Sequence, residues 1–296
     1  LEEDPQSFDQ AIDQITEILN GADIYFGHGA PEAPSEALWI IAYCAGLSPV
    51  QTLEHLEEPY DPESFQQALK IVEQRIQTRS PLAYILKEAW LMGHCFECDE
   101  RSIIPRSFIA ELITQGELDD FLPPNGKALD LCTGNGSLAI LLSLNYPDIE
   151  VCASDIDLNA LALAQKNILN YDLSEVIEII HSDLWKDLPE PNEENRFDLI
   201  ICNPPYVNQA SMQQLPPEYL KEPSLALDGG IDGMYVVRKI IQDAKNYLNE
   251  RGALVLEIGN EYENFLKAFP ELEVQWLEVS TSNQQVLLIL EENLPE

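Results

Sequence analysis

Basic side chains are scarce in this chain. It has 16 Lys and Arg against 52 Asp and Glu over 296 residues, a formal net charge of −36. Gripping nucleic acid through its phosphates needs clustered Lys and Arg, so that class of function is disfavoured. A basic partner, or simply a well-solvated surface, is what the charge leaves open. Long apolar runs are missing too, and none approaches the ~18–20 residues of a membrane span. The opening LEEDPQSFDQ has no basic region leading into an apolar one, so no signal peptide is expected. Six cysteines are too sparse for a disulfide scaffold. Cys132, Cys152 and Cys202 lie in apolar strand-like runs, as buried thiols do. A reducing cytoplasm is the expected setting.

What is present is enough for a core, since 45% of residues are hydrophobic. Residues 1 to about 90 read as helical. Phe8, Ile12, Ile15, Ile18 and Leu19 keep amphipathic spacing. Ser35-Glu36-Ala37-Leu38 suggests a capped second helix that Ser48-Pro49 breaks. Phe65, Leu69, Val72 and Ile76 mark another, ending before Ser80-Pro81. Residues of about 84–106 alternate and are aromatic, which predicts a β-hairpin or extended linker. One more helix is expected over 107–119. After a Pro-Pro-Asn-Gly turn at 123–126, strand-like runs follow at Ala128–Cys132, Val151–Ser154, Ile177–His181, Phe197–Cys202, Ala253–Ile258, Val274–Val279 and Gln285–Leu290. Helix-like runs fall at Gly136–Asn145, Asn159–Asn170, Tyr235–Leu248 and Tyr262–Ala268. That alternation predicts an α/β, doubly wound, mostly parallel sheet. The last two runs have no helix between them and should form an antiparallel edge hairpin.

The first strand ends in Asp130-Leu131-Cys132-Thr133-Gly134-Asn135-Gly136. Glycines at a strand-to-helix turn let backbone approach a ligand closely. The loop is not the dinucleotide fingerprint, because Cys132 stands where a first Gly would and a third Gly is missing. The second strand ends in Asp155, with Asp157 two residues on. A carboxylate there can accept both hydroxyls of a ribose, and Asp157 also suits a helix cap. The third strand ends in Ser182-Asp183 and the fourth in Asn203-Pro204-Pro205-Tyr206. Ligands of open parallel sheets bind outside the carboxyl ends of the strands, where all four sets converge.

Asn203-Pro204-Pro205-Tyr206 is the most specific signal. The prolines stiffen the loop and remove backbone donors. The Asn203 side-chain carbonyl and the Pro204 backbone carbonyl are two fixed acceptors. Together they can hold both hydrogens of a planar NH₂ and aim its nitrogen, and Tyr206 can cover the flat face.

These residues resemble the class I S-adenosylmethionine-dependent methyltransferases that modify planar nitrogens. DERSIIPRS (99–107) and EPSLALDGGIDGM (222–234) resemble segments of the HemK-type protein-(glutamine) methyltransferase family. YFGHG (25–29), AYILKEAWLMGH (83–94) and the Cys of DLCTGNG resemble its branch acting on large-subunit ribosomal protein number three. The resemblance spans roughly residues 20–290. It implies a helical substrate-recognition domain (1–90), a β-hairpin linker (91–106) and a methyltransferase domain with a seven-stranded sheet (107–296). It implies S-adenosyl-L-methionine as cofactor, held by Asp130, Cys132, Thr133, Gly134, Gly136, Asp155, Ile156, Asp183, Leu184 and Asn203. It places the target glutamine amide at Asn203, Pro204, Pro205 and Tyr206, with Asn203, Pro204 and Tyr206 catalytic. Pro105, Arg106 and Glu222 fall near the substrate mouth. The expected substrate is a basic ribosomal protein. A release factor, a nucleic-acid amino group, and a non-catalytic role in ribosome assembly are the alternatives.

Other signals carry less. The C-x-x-C at Cys95–Cys98 lacks the second pair that a zinc site needs, so no metal is expected. His28 reads as structural or substrate-facing. The acidic EPNEEN beginning at Glu190 reads as a solvated loop, and Trp185 and Trp276 as packing residues.

Overall fold

A computed structural model describes residues 5–296, so residues 1–4 of the expected helical domain lie outside the described part. The chain divides into two compact units. One holds residues 1–100 together with 215–221, and the other holds 101–214 and 222–296.

The first unit is a small helical bundle. Helix α1 (Phe8–Asn20) buries Phe8, Ala11, Ile15 and Leu19, and the Ser7 hydroxyl caps its N-terminus. Helix α2 (Ala33–Ala45) begins two residues before the expected Ser35 cap. Its N-cap is Glu32, with no side-chain cap bond, and Pro34 falls in the first turn where a missing N–H is harmless. Gly46 then ends it in the left-handed region. Ser48-Pro49 opens the short α3 (Pro49–Glu54) through a capping box with Gln51. Helix α4 (Pro62–Thr78) is capped by Asp61. α1, α2 and α4 pack on one another. After α5 (Leu82–Leu86), strands β1 (Glu88–Leu91) and β2 (His94–Glu97) form an antiparallel hairpin. Its two-residue turn has Met92 at φ 49° and Gly93 at φ 80°, the type I′ geometry that matches strand twist.

Inside this bundle Arg75 is fully buried. It donates to both Glu36 oxygens and to the Tyr25 carbonyl (2.7 Å). Residues 215–221 bring Glu218 to the same cluster, where it accepts from the Tyr25 amide (2.9 Å) and from Arg79 (3.0 Å). His28 is buried, its ring 4.1 Å from that of Tyr219.

The second unit opens with α6 (Ile109–Gln115), shorter than the expected 107–119 because Gly116 turns left-handed and ends it. Then follow β3 (Lys127–Leu131), α7 (Ser137–Asn145), β4 (Glu150–Asp155), α8 (Leu158–Asn170), β5 (Ile177–His181), β6 (Phe197–Cys202) and α9 (Gln209–Met212). The unit closes with α10 (Tyr235–Tyr247), β7 (Leu248–Glu257), α11 (Tyr262–Ala268), β8 (Gln275–Val279) and β9 (Ser282–Leu290). The seven-stranded sheet has the order β5-β4-β3-β6-β7-β9-β8. Strands β3 to β7 pair in parallel, and β9 runs antiparallel to both its neighbours. The edge hairpin read from the sequence is therefore present. Near-continuous burial of β3, β6 and the end of β7 is that of strands covered on both faces.

On one face, Leu129, Leu131, Ile200, Cys202, Leu254, Leu256, Leu287 and Ile289 point one way at every second residue. They meet Val237, Ile240, Ile241 and Ala244 of α10 and Phe265 of α11. Trp185 packs there, stacked on Tyr247 at 4.8 Å, and Trp276 leans on the same cluster. Among the described residues no helix is long and apolar enough to cross a membrane.

Candidate active site

β3 pairs with β4 on one side and β6 on the other, so the strand order reverses at β3. A crevice opens at such a switch point, at the carboxyl ends of the strands. Here it is a cavity of about 330 Å³. Its floor comes from the ends of β3 to β6: Cys132 and Gly134, then Ser154 to Asp157, then Ser182 to Leu184, then Asn203 and Pro205. Arg101, Ser102 and Ile103 line one wall, Pro223, Leu225 and Ala226 another, and Tyr235, Val236 and Lys239 of α10 a third.

The loop after β3 is left-handed at Cys132 (φ 65°), Gly134 (φ 59°) and Gly136 (φ 81°). Glycine adopts this region freely, whereas a side chain there costs ~1–2 kcal/mol. Cys132 thus carries strain at the position where a glycine would be relaxed. A Cβ at Gly134 would meet nothing nearer than 3.8 Å, so that backbone faces open space. A Cβ at Gly136 would lie 3.1 Å from that of Ala164, so this glycine serves helix packing.

Two carboxylates shape the loop. Asp155 accepts the Gly134 amide on one oxygen and the Asp157 amide on the other, both at 2.9 Å. Each oxygen keeps a further acceptor position. Burial pushes its carboxyl above the ordinary range. Asp157 caps α8 by accepting the Asn159 amide. Asp130 is fully buried beneath the loop and is not part of the cavity wall. One of its oxygens accepts the Thr133 hydroxyl (2.6 Å) and the Ala139 amide (3.0 Å). The other, like the buried Ser154 hydroxyl, has no hydrogen-bond partner among the described residues. Desolvation raises the Asp130 carboxyl to about 7.

Asn203 borders the cavity, and among the described residues its carboxamide has no hydrogen-bond partner. Pro204 is buried and Pro205 lines the wall. Tyr206 turns away from the wall, and its hydroxyl donates to Glu257 (3.1 Å) at the end of β7. Pro105 is buried in the segment behind Ile103. Arg106 and Glu222 make a two-pronged ion pair (2.5 and 2.8 Å), and Glu222 also accepts the Ile104 amide (3.0 Å). These two residues are thus occupied with each other, joining the Arg101–Ile103 wall to the Pro223–Ala226 wall. Ile156, Asp183 and Leu184 all reach the cavity, and Thr133 does not.

Ser154, Tyr235 and Lys239 are not singled out by the sequence as site residues, whereas the walls Arg101–Ile103 and Pro223–Ala226 lie inside the segments 99–107 and 222–234 that carry the resemblance. Tyr235 and Lys239 stand four residues apart on one helix, where the Lys239 ammonium lies 4.3 Å from the Tyr235 ring.

A nucleoside bearing a cationic amino-acid tail fits what is here. Asp155 can accept a ribose diol, the Gly134 backbone leaves room, and unpartnered buried oxygens of Asp130 and Ser154 lie by the loop. Two family models match the chain: the methyltransferase small domain over residues 116–230 and the PrmC N-terminal domain over residues 10–86. The hMettl16 catalytic domain, solved with a MAT2A 3′UTR hairpin, shares the fold at TM-score 0.51 and 18% identity, covering 84% of this chain and 89% of its own. Fold and site define a class I S-adenosylmethionine-dependent methyltransferase. The ribosomal protein uL3 glutamine methyltransferase of Burkholderia pseudomallei is 44% identical over 280 residues, covering 93% of this chain and 91% of its own. That of Neisseria gonorrhoeae is 38% identical, covering 97% and 98%. The chain belongs to the family of ribosomal protein uL3 glutamine methyltransferases.

Proposed function

We propose that this chain transfers a methyl group from S-adenosylmethionine to the side-chain amide nitrogen of a glutamine in ribosomal protein uL3, in the cytoplasm. The observation that carries this reading is the Asn203 carboxamide, unpartnered at the cavity beside the loop that suits the cofactor. A polar group left open in a rigid loop has its hydrogen-bonding capacity reserved for a ligand.

When bound, S-adenosylmethionine supplies a methyl group on a positively charged sulfur. In this reading Asp155 holds the ribose, the Cys132–Gly136 loop the methionine part, and Ile156, Asp183 and Leu184 the base. Asp130 acts from below by fixing the loop to α7. The Asn203 oxygen and the Pro204 carbonyl accept the two hydrogens of the target amide and aim its nitrogen, with Tyr206 bracing the loop from behind rather than covering the amide. An amide nitrogen is a weak nucleophile, so alignment has to supply much of the acceleration, and good alignment is worth ~7–11 kcal/mol. No base is needed before attack, and the surplus proton leaves afterwards to water. Arg106 and Glu222 hold the walls through which the substrate glutamine enters, with Pro105 and Pro205 stiffening them.

The test is incubation with labelled S-adenosylmethionine and, separately, uL3, a release factor and ribosomal RNA, followed by mass-spectrometric mapping. A methyl on one uL3 glutamine amide is expected. Label on RNA alone, or on the release factor alone, refutes the assignment.

A further inference from the structure

Glu257 ends β7 beside β6, whose last residue immediately precedes Asn203. Its side chain is buried, yet it makes three hydrogen bonds to uncharged donors. One oxygen accepts the Tyr206 hydroxyl at 3.1 Å. The other accepts the Ser107 hydroxyl at 2.6 Å and the Phe108 amide at 2.9 Å. Burial raises its carboxyl, and those hydrogen bonds oppose the rise.

The space around Tyr206 is tight on every side that glycines report. A Cβ at Gly259 would fall 2.5 Å from the Tyr206 ring, and one at Gly233 would overlap its carbonyl oxygen. A Cβ at Gly229 would fall 2.7 Å from its Cα. Backbone and ring therefore have one place to sit, and the hydroxyl is the point at which that place is hydrogen-bonded. Tyr206 is also absent from the cavity wall, whereas Asn203 and Pro205 of the same loop are part of it. A residue that closes a loop from behind, and is itself held by a buried carboxylate, aims its neighbours.

We infer that Glu257 is a positioning residue for methyl transfer, locking Tyr206 so that the Asn203 carboxamide stays in register with the cofactor loop, and tying that lock to the Ser107–Phe108 segment. The inference rests on the proposed role of Asn203 and extends it to a residue that touches neither substrate nor cofactor. The carboxylate matters because it accepts from three donors at once. A carboxamide has one accepting oxygen, and with that oxygen kept on Ser107 and Phe108 its NH₂ points at the Tyr206 hydroxyl, which must stop donating there and turn to accept.

The experiment is a double-mutant cycle of Glu257→Gln and Tyr206→Phe, reading kcat and KM for uL3 together with the calorimetric Kd of S-adenosylmethionine. A misplacement of about 1 Å costs on the order of a hundredfold in rate. Each single variant is expected to lose kcat by about ten- to a hundredfold while cofactor affinity stays within about twofold. The double variant should be no slower than the worse single one, because both changes disturb the same contact between Tyr206 and residue 257. Multiplying effects, an unchanged kcat in Glu257→Gln, or a parallel loss of cofactor affinity would each overturn the inference. Should Glu257→Gln not fold, Tyr206→Phe decides alone: the expected kcat loss supports the lock and a wild-type kcat overturns it. A wild-type chain that methylates no glutamine sinks the underlying reading. A methylating wild type with a multiplicative cycle sinks only Glu257.

Discussion

Asp130 makes the stability of the catalytic unit depend on pH in a direction set by its burial. The carboxyl sits near 3.8 when exposed and rises to about 7 when folded, through desolvation first, with the Asp155 charge adding to the rise. Between these values the folded chain holds a proton that the unfolded chain has released. The contribution is therefore fully present below pH 4 and lost as pH rises to 7, after which it is flat. The fall is about 1.4 kcal/mol per pH unit, or about 4 kcal/mol in all. Asp130→Asn cannot ionise and lacks this fall. Its carbonyl can still accept from Thr133 and Ala139, but its NH₂ then occupies the position with no partner, at a cost of about 1–3 kcal/mol at every pH. In urea unfolding of the cofactor-free protein, the variant should be the less stable at pH 4, where the wild type has lost only about 0.6 kcal/mol, and the equal or better of the two at pH 8. The difference between the two curves removes the background of the other acids. Parallel curves across this range would refute the reasoning, since they would mean that Asp130 is already ionised in the folded state at pH 5.

Asn203→Ala should lower kcat on uL3 by about a hundredfold or more, while calorimetry finds S-adenosylmethionine binding little changed. Gly136→Ala forces a side chain into the left-handed region and against Ala164, so it should cost about 1–3 kcal/mol in urea unfolding and weaken cofactor binding. Arg75→Ala leaves the buried Glu36 without its arginine, while Glu218 keeps Arg79 and the Tyr25 amide, and the same assay should register a loss of about 3–5 kcal/mol. If the acidic surface steers a basic substrate, kcat/KM for uL3 falls from low to high salt, and an unchanged value reduces the charge to solubility.

Much of the catalytic unit was legible because its signals are local. Strand ends, a glycine turn and Asn-Pro-Pro-Tyr all state their geometry within a few residues, and the order of strands follows from their alternation with helices. Tyr206 was legible as a special residue, but its partner was not. Glu257 is one acid in a run ending a buried strand, and nothing near it announces a hydroxyl 51 residues away in sequence. Arg106 and Glu222 were drawn to the site by resemblance, yet their pairing across 116 residues follows only from the fold. Residues 215–221 were invisible as part of the helical unit for the same reason, since Glu218 meets Arg79 from 139 positions away. The Ser35 cap misled because proline in the first turn lets a helix begin without one.

The acidity itself has two parts with different physics. In the catalytic unit Asp130 accepts the Ala139 amide, Asp155 those of Gly134 and Asp157, Glu222 that of Ile104 and Glu257 that of Phe108. In the helical unit Glu218 accepts that of Tyr25. Each thus satisfies a backbone donor in an irregular segment or, for Ala139, in the first turn of a helix, which otherwise costs a lost hydrogen bond. Only Glu222 and Glu218 also meet an arginine, so in a chain poor in cations neutral N–H and O–H donors hold the others. A carboxylate held by neutral donors keeps its negative charge unmatched. Asp155 stands in that condition on the cavity wall, whereas Asp130, buried beneath the loop, keeps its proton up to about pH 7. Among the described residues Asp155 forms no ion pair although Arg101 and Lys239 line the same cavity, so its remaining acceptor capacity stays open to a ligand.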